Sequence, residues 1–174
     1  SDKENSWLPE AKLKQAFAEI RGYVDFRKGN WSDALAAECP LELVKDEYIL
    51  NGTIDLLSGN GGKVRVIDFK TGKKPPMDSP LMEKYLSQLE VYAYLVETKL
   101  GRSVEKLVLY FTSDAENPCV VFPMSKERVE KRMEEFDATA RRILARDFAR
   151  RCEMKKNELP MACRFCDFRK YCGR

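Results

Sequence analysis

Two carboxylates interrupt apolar stretches of the chain. Asp55 follows Gly52-Thr53-Ile54 and precedes Leu56-Leu57, and Asp68 follows Val64-Arg65-Val66-Ile67. Lys70 stands two positions beyond Asp68, and side chains alternate along a strand, so the spacing predicts one shared face for that pair. A hairpin between the two stretches brings Asp55 close to it. Neighbouring carboxylates repel unless a cation sits between them, and hard oxygen ligands suit Mg2+ or Mn2+. A lysine beside such an ion orients or deprotonates a water, or stabilises a charged transition state. Those parts suit phosphodiester hydrolysis without imidazole. A plainer reading of both acids, as strand-edge groups facing solvent, stays open. Further along, Gln88 and Tyr92 stand four apart and share a helix face. By themselves they also read as a polar surface residue and a core aromatic.

The cysteines form a second constellation. Of Cys39, Cys119, Cys152, Cys163, Cys166 and Cys172, the last three fall within the final twelve residues. No charged-then-apolar leader opens the chain, so this clustering reads as metal binding before disulfides. The chain has no histidine, which excludes Ser-His-Asp and Cys-His triads, HExxH metalloproteases and Cys2His2 fingers. It also has no G-x-x-x-x-G-K-[ST] loop, which excludes a helicase motor within these 174 residues. The longest apolar run, Val91 to Val96, falls far short of the about 20 residues of a membrane span, so no membrane association is expected. Residues 125–174 hold 15 basic and 9 acidic groups and carry +6; the whole chain carries +3, so the remainder carries −3. A basic C-terminal third fits a polyanionic partner, and equally a solvated helix face.

Elements must hold these groups in place. Leu13, Phe17, Ile20 and Val24 mark one apolar face of a helix over residues 8–27. From Ala37 to Lys70 short alternating stretches predict strands, with a turn at Lys45-Asp46-Glu47. Ser58-Gly59-Asn60-Gly61-Gly62 predicts the hairpin turn before the β-branched strand Lys63 to Lys70. Ser79 or Asp78 caps a helix over 80–100, with Leu81, Tyr85, Leu89, Tyr92 and Val96 as its apolar positions and Gly101 after its end. Strands over 107–112 and 119–123 follow, then a long helix from Ser125 whose buried face is Val129, Met133, Phe136, Ala140, Ile143 and Leu144. The length suits one domain: a helix and loop over 1–36, a sheet core with the Gln88–Tyr92 helix over 37–124, and a long helix with a Cys-rich tail over 125–174. The fold class is α/β, a central mixed β-sheet flanked by helices.

Gly52-x-x-Asp55, Asp68-x-Lys70-Thr71-Gly72, Gln88-x-x-x-Tyr92 and Cys163-x-x-Cys166-x5-Cys172 occur in that order. Together they resemble the RecB-like branch of the PD-(D/E)XK nuclease superfamily, over residues 38–172. That branch includes the nuclease domains of RecB, AddA and AddB and the CRISPR-associated exonucleases. The resemblance implies a restriction-endonuclease-like core and a Mg2+- or Mn2+-dependent deoxyribonuclease of exonuclease type. It implies that Asp55 and Asp68 bind the metal, that Lys70 is the catalytic lysine, and that Gln88 and Tyr92 lie by the site and hold DNA or the lysine. It also implies that Cys163, Cys166 and Cys172 hold a 4Fe–4S cluster or zinc, with Cys39, Cys152 or an upstream cysteine as fourth ligand. The implied partners are DNA ends or single strands and a helicase domain or subunit, in cytoplasmic repair and recombination. Lys73 and Lys74, directly after the catalytic strand, are the candidate phosphate contacts.

Two departures from the branch pattern stand beside it. The further histidine ligand common in the branch is absent, and the upstream cysteine is not evident. A chain that begins at Ser1, without methionine, is expected to be excised from something longer, which would account for both. A degenerate domain that binds DNA or a partner without cutting also accounts for them. A cysteine–metal interaction module with incidental hairpin acids is the remaining alternative.

Overall fold

A computed structural model describes residues 9–60, 62–147 and 167 of the chain. Its elements run α1 (Glu10–Arg27), β1 (Ala34–Val44), β2 (Ile49–Asn60), β3 (Lys63–Lys70), α2 (Pro80–Leu100), β4 (Ser103–Phe111), β5 (Cys119–Pro123) and α3 (Lys126–Leu144). That is the expected order. Contacts divide the chain into two compact units, 1–135 and 136–174, and the boundary falls inside α3.

In the first unit the five strands form one sheet in the order β1-β2-β3-β4-β5. All neighbours are antiparallel except β3 and β4, which run parallel. A parallel pair needs a crossover, and α2 supplies it. Ser79 starts α2 by accepting a hydrogen bond from Met82 N–H, Pro80 occupies the first turn, and Gly101 ends it with φ 62. The pairing also corrects one strand boundary: Ser103 lies opposite Lys63, so β4 starts four residues before the expected Leu107. The β2–β3 turn is likewise tighter than its composition suggests, because Ser58 to Asn60 remain in the strand.

Alternation sorts β3 between two apolar layers. Val64 and Val66 join Leu89, Ala93 and Val96 of α2 in the larger core. Ile67 points the other way, with Leu56, Val108 and Tyr110, and Tyr23 of α1 packs there. Tyr23 meets Phe69 and Tyr110 edge-on, with centroids 4.8 Å away in each case. Glu19 of α1 accepts hydrogen bonds from the Thr112 and Ser113 hydroxyls, and the Thr112 bond chiefly holds its carboxyl below the usual range. The stripe expected to be the apolar face of α1 lies on its outer side: Leu13, Phe17, Ile20 and Val24 are 46–69% exposed. Periodicity identifies such a face without saying what covers it.

The start of α3 joins the larger core through Val129 and Met133. Ser125 caps it as expected, accepting from Arg128 N–H. The rest of its expected buried face is not buried: Phe136, Ile143 and Leu144 are 40–56% exposed. In the second unit, Arg142 pairs with Asp147 at 3.0 Å and Arg146 takes a left-handed φ of 54 just beyond the helix end. Among the described residues no helix is long and apolar enough to cross a membrane.

One charge is built into the α2–α3 seam. Glu90, 2% exposed, accepts from Arg128 Nε at 2.7 Å and Arg132 Nε at 2.9 Å. Both guanidinium groups also reach Glu83. Glu90→Ala removes two charge-assisted hydrogen bonds and should cost about 2–3 kcal/mol of stability, read from urea unfolding. A midpoint equal to wild type would mean that the pair contributes nothing net.

Candidate active site

The ladder between β2 and β3 stops early. Its last pair is Leu56 with Ile67, although β2 continues along β1 to Ile49 opposite Val44, and β3 continues along β4 to Lys70 opposite Phe111. Beyond that pair the two strands separate like the prongs of a fork. Asp55 and Asp68 are the first residues past the split, one on each prong.

Asp55 satisfies the backbone that the split leaves unpaired. Its Oδ2 accepts from Phe69 N–H at 2.7 Å, replacing the ladder carbonyl that a regular sheet would supply. Alternation along β2 also breaks here, since Ile54 and Leu57 face α2 while Leu56 faces α1. Opposite, between the pairs Ala37–Leu56 and Cys39–Ile54, Glu38 adopts φ 47. A left-handed Glu inside a strand is a strained conformation of the kind that clusters at functional sites.

Asp68 faces α2 with Lys70, as their spacing predicts. Asp68 is 3% exposed, and its Oδ2 lies 2.6 Å from Lys70 Nζ with no other hydrogen-bond donor in reach among the described residues. Burial pushes its carboxyl above the usual range, the Lys70 ammonium opposes that shift, and the Asp55 charge adds to it. Lys70 Nζ also donates to Gln88 Oε1 at 2.9 Å, and Gln88 Nε2 donates to the Tyr92 hydroxyl at 2.8 Å. The Gln88–Tyr92 pair therefore stands beside the lysine, and the ammonium, which can only donate, turns the Gln88 oxygen towards itself and the amide nitrogen towards Tyr92. Tyr85, an apolar helix position by its spacing, also belongs to the site. Its ring centroid lies 4.5 Å from Lys70 Nζ, a cation–π contact. The available signal was its place one turn before Gln88 on the same helix face.

The two carboxylates and one ammonium leave a surplus negative charge at the fork. A buried carboxylate oxygen paired with a lysine, beside a second carboxylate, is a donor set that fits a hard divalent cation. Mg2+ in particular uses one or two carboxylates and fills its remaining positions with water or phosphate oxygens. Among the described residues no cluster of three or more His, Cys, Asp or Glu side chains is placed to hold a metal.

The remaining candidates are not part of this cluster. Lys74 Nζ donates to Asn117 carbonyl at 2.6 Å and pairs with Asp114 at 3.2 Å, tying the segment after β3 to the β4–β5 turn. Lys73 is exposed. Cys39 packs against the larger core as a free thiol. Cys152, Cys163, Cys166 and Cys172 lie outside the described residues.

Residues 2–173 match the family description "PD-(D/E)XK nuclease superfamily". The chain belongs to that superfamily. The A-subunit of the ATP-dependent helicase/nuclease of Pelotomaculum thermopropionicum is 38% identical over 79 residues, which are 43% of this chain and 6% of that protein. The protein of the same name from Clostridium kluyveri is 28% identical over 103 residues, 59% of this chain and 8% of that one. The chain thus spans less than a tenth of the length of these relatives. Among solved structures, a putative exonuclease from Eubacterium rectale superposes with TM-score 0.53 at 13% identity, over 91% of this chain and 67% of that chain. At that identity the likeness shows the fold: a five-stranded mixed sheet with flanking helices, as in other members of the superfamily.

The raised Asp68 carboxyl yields a test of this geometry. It binds its proton more readily in the folded than in the unfolded chain, so its ionisation costs stability as pH rises from about 4 towards neutrality. Asp68→Asn mimics the protonated form. Without divalent metal it should raise the urea midpoint at pH 7, and the gain should shrink towards pH 3, where the wild-type carboxyl is already protonated. A variant less stable than wild type at pH 7 would contradict the burial cost.

Proposed function

We propose that this chain is a divalent-metal-dependent deoxyribonuclease domain that hydrolyses phosphodiesters at DNA ends or in single strands, beside a helicase domain or subunit. Convergence of Asp55, Asp68 and Lys70 at the β2–β3 fork, with Gln88 and Tyr92 holding the lysine, carries this reading. The superfamily and the helicase/nuclease relatives support the reaction class and the partner. End and strand preference rests on the resemblance of the motifs to the RecB-like branch.

Asp55 and Asp68 would hold Mg2+ or Mn2+, which when bound supplies a Lewis acid that activates water and neutralises phosphate charge. The chain's own groups do the rest. Lys70 presents its ammonium to the developing charge on the phosphate, a contact that strengthens in the transition state. Gln88 shares that ammonium with Asp68 and gives it a second fixed acceptor. Lys73 meets the phosphate backbone without reading sequence, whereas Lys74 is engaged within the fold. The cysteine box would bind iron–sulfur or zinc and tie down the tail, a role separate from hydrolysis.

A second reading has one observation of its own. The site offers two carboxylates and the chain has no histidine, so a DNA-binding domain without turnover is the alternative.

Two measurements separate these readings. Mg2+ or Mn2+ should raise the thermal midpoint of the wild-type chain, and Asp55→Asn and Asp68→Asn should each lose most of that shift. Equal shifts in all three proteins would place the metal elsewhere. In a cleavage assay on end-labelled DNA, Lys70→Ala should lower turnover by about 10²–10³-fold while DNA affinity stays near wild type. Wild-type turnover in that variant would remove Lys70 from the mechanism. DNA binding with no cleavage by the wild-type full-length protein, at any Mg2+ or Mn2+ concentration, would favour the second reading.

A further inference from the structure

Gly52 opens the first motif, three residues before Asp55, and has no part in the chemistry described above. Nor does its backbone demand glycine, since it is not among the residues with positive φ. Its neighbours explain it. A methyl group on Gly52 would lie 2.7 Å from Tyr92 Cε1, 3.2 Å from Tyr92 Cδ1 and 3.5 Å from Leu95 Cδ1. Carbon atoms pack at about 3.5–4.0 Å, so any side chain here would drive the Tyr92 ring away by roughly 1 Å. The obstructed atoms belong to a rigid ring, and the buried Leu95 and Val96 follow on the same helix.

That ring is the far end of a chain of contacts. The Tyr92 hydroxyl holds Gln88 Nε2, Gln88 Oε1 holds Lys70 Nζ, and Lys70 Nζ meets Asp68. The contacts also cross the fork: Tyr92 rests on β2 at Gly52, while Gln88 reaches β3 at Lys70. Beyond the split no ladder hydrogen bonds join those two prongs. Helix α2 is therefore the brace that sets the position of Lys70 relative to the strand carrying Asp55. The closeness of that brace to β2 depends on the absence of a Cβ at residue 52.

We infer that Gly52 is a positioning residue for the reaction: the space left by its missing side chain seats Tyr92, and through Tyr92 and Gln88 it fixes the Lys70 ammonium at the fork. The inference rests on the nuclease reading only for its consequence in turnover. Its geometric part stands separately.

The test is a double-mutant cycle in the full-length protein. Gly52→Ala should lower kcat about 10–100-fold with KM little changed, because a displacement of about 1 Å misplaces a reacting group without removing a binding contact. Tyr92→Phe keeps the ring and removes the hydroxyl, so it should also lower kcat. In the Tyr92→Phe background, adding Gly52→Ala should lower kcat by less than about threefold, because both changes cut the same chain of contacts. Fully additive losses, or wild-type kcat in Gly52→Ala, would overturn the inference. If Gly52→Ala is too unstable to assay, Gly52→Ala/Tyr92→Leu removes the obstructed ring atoms. It should regain the thermal midpoint of Tyr92→Leu alone, and a double variant as unstable as Gly52→Ala would show that the clash lies elsewhere.

A second readout needs no turnover. Lys70 is 17% exposed and held by three neighbours, whereas Lys106 is 49% exposed at the surface. Acylation followed by mass spectrometry should show Lys70 labelling rise several-fold relative to Lys106 in Gly52→Ala. An unchanged ratio would refute the positioning role even in a protein that cuts DNA. A raised ratio, where the wild-type full-length protein itself does not cut DNA, would leave it standing and refute the nuclease reading alone.

Discussion

The sheet has to open for the candidate site to exist, and an opened sheet has to satisfy the backbone groups it unpairs. The Asp55 side chain meets that requirement by accepting from Phe69 N–H across the split. A buried amide with no acceptor would cost about 1–3 kcal/mol, enough to favour closing the ladder. The carboxylate therefore supports the fork and at the same time brings its charge to Asp68. Strain at Glu38, directly across β1 from the break, is part of the same arrangement. One side chain thus both satisfies the unpaired amide and places a charge beside Asp68.

The two layers on the sheet serve the same strand from opposite sides. Helix α2 carries Tyr85, Gln88 and Tyr92 over the fork, while α1 anchors the reverse face through Tyr23 and the Glu19 bonds to Thr112 and Ser113. Thr112 N–H bonds Lys70 carbonyl and the Ser113 hydroxyl bonds Thr71 carbonyl, so the end of β3 is fastened from behind. Phe69 faces the aromatic side while Asp68 and Lys70 face α2. Each contact behind the sheet thus limits the movement of the charged pair in front of it. Asp68 is buried at the expense of stability, and burial strengthens its interaction with Lys70 and with any cation placed there.

The superfamily match spans nearly the whole chain, whereas the helicase/nuclease relatives share with it only 6% and 8% of their own length. The fork, the lysine and α2 all lie within residues 49–100, so one continuous stretch of chain supplies the whole candidate site. No G-x-x-x-x-G-K-[ST] phosphate loop lies within these 174 residues. Leu13, Phe17, Ile20 and Val24 of α1 belong to neither apolar layer of the sheet among the described residues.

Local pattern determined a great deal. Helix α2 was legible to the residue, because Ser79, Pro80 and Gly101 act within one turn of each end. The shared face of Asp68 and Lys70 followed from the two-residue period of a strand, and that of Gln88 and Tyr92 from the helix repeat. Strand pairing was not legible: where β2 leaves β3, and that β4 begins at Ser103, depend on partners remote in sequence. The apolar positions of α1 and the later turns of α3 gave a face without a depth, so several expected core residues are exposed. Tyr85 looked like packing until its ring met Lys70, and Gly52 was only the first letter of a motif until the Tyr92 ring filled its place. Residue type and spacing determined which groups were available for chemistry. Which of them meet was decided by the opening of the sheet and the seating of α2 across it, because burial, hydrogen-bond satisfaction and close approach are properties of neighbours that only the folded chain assembles.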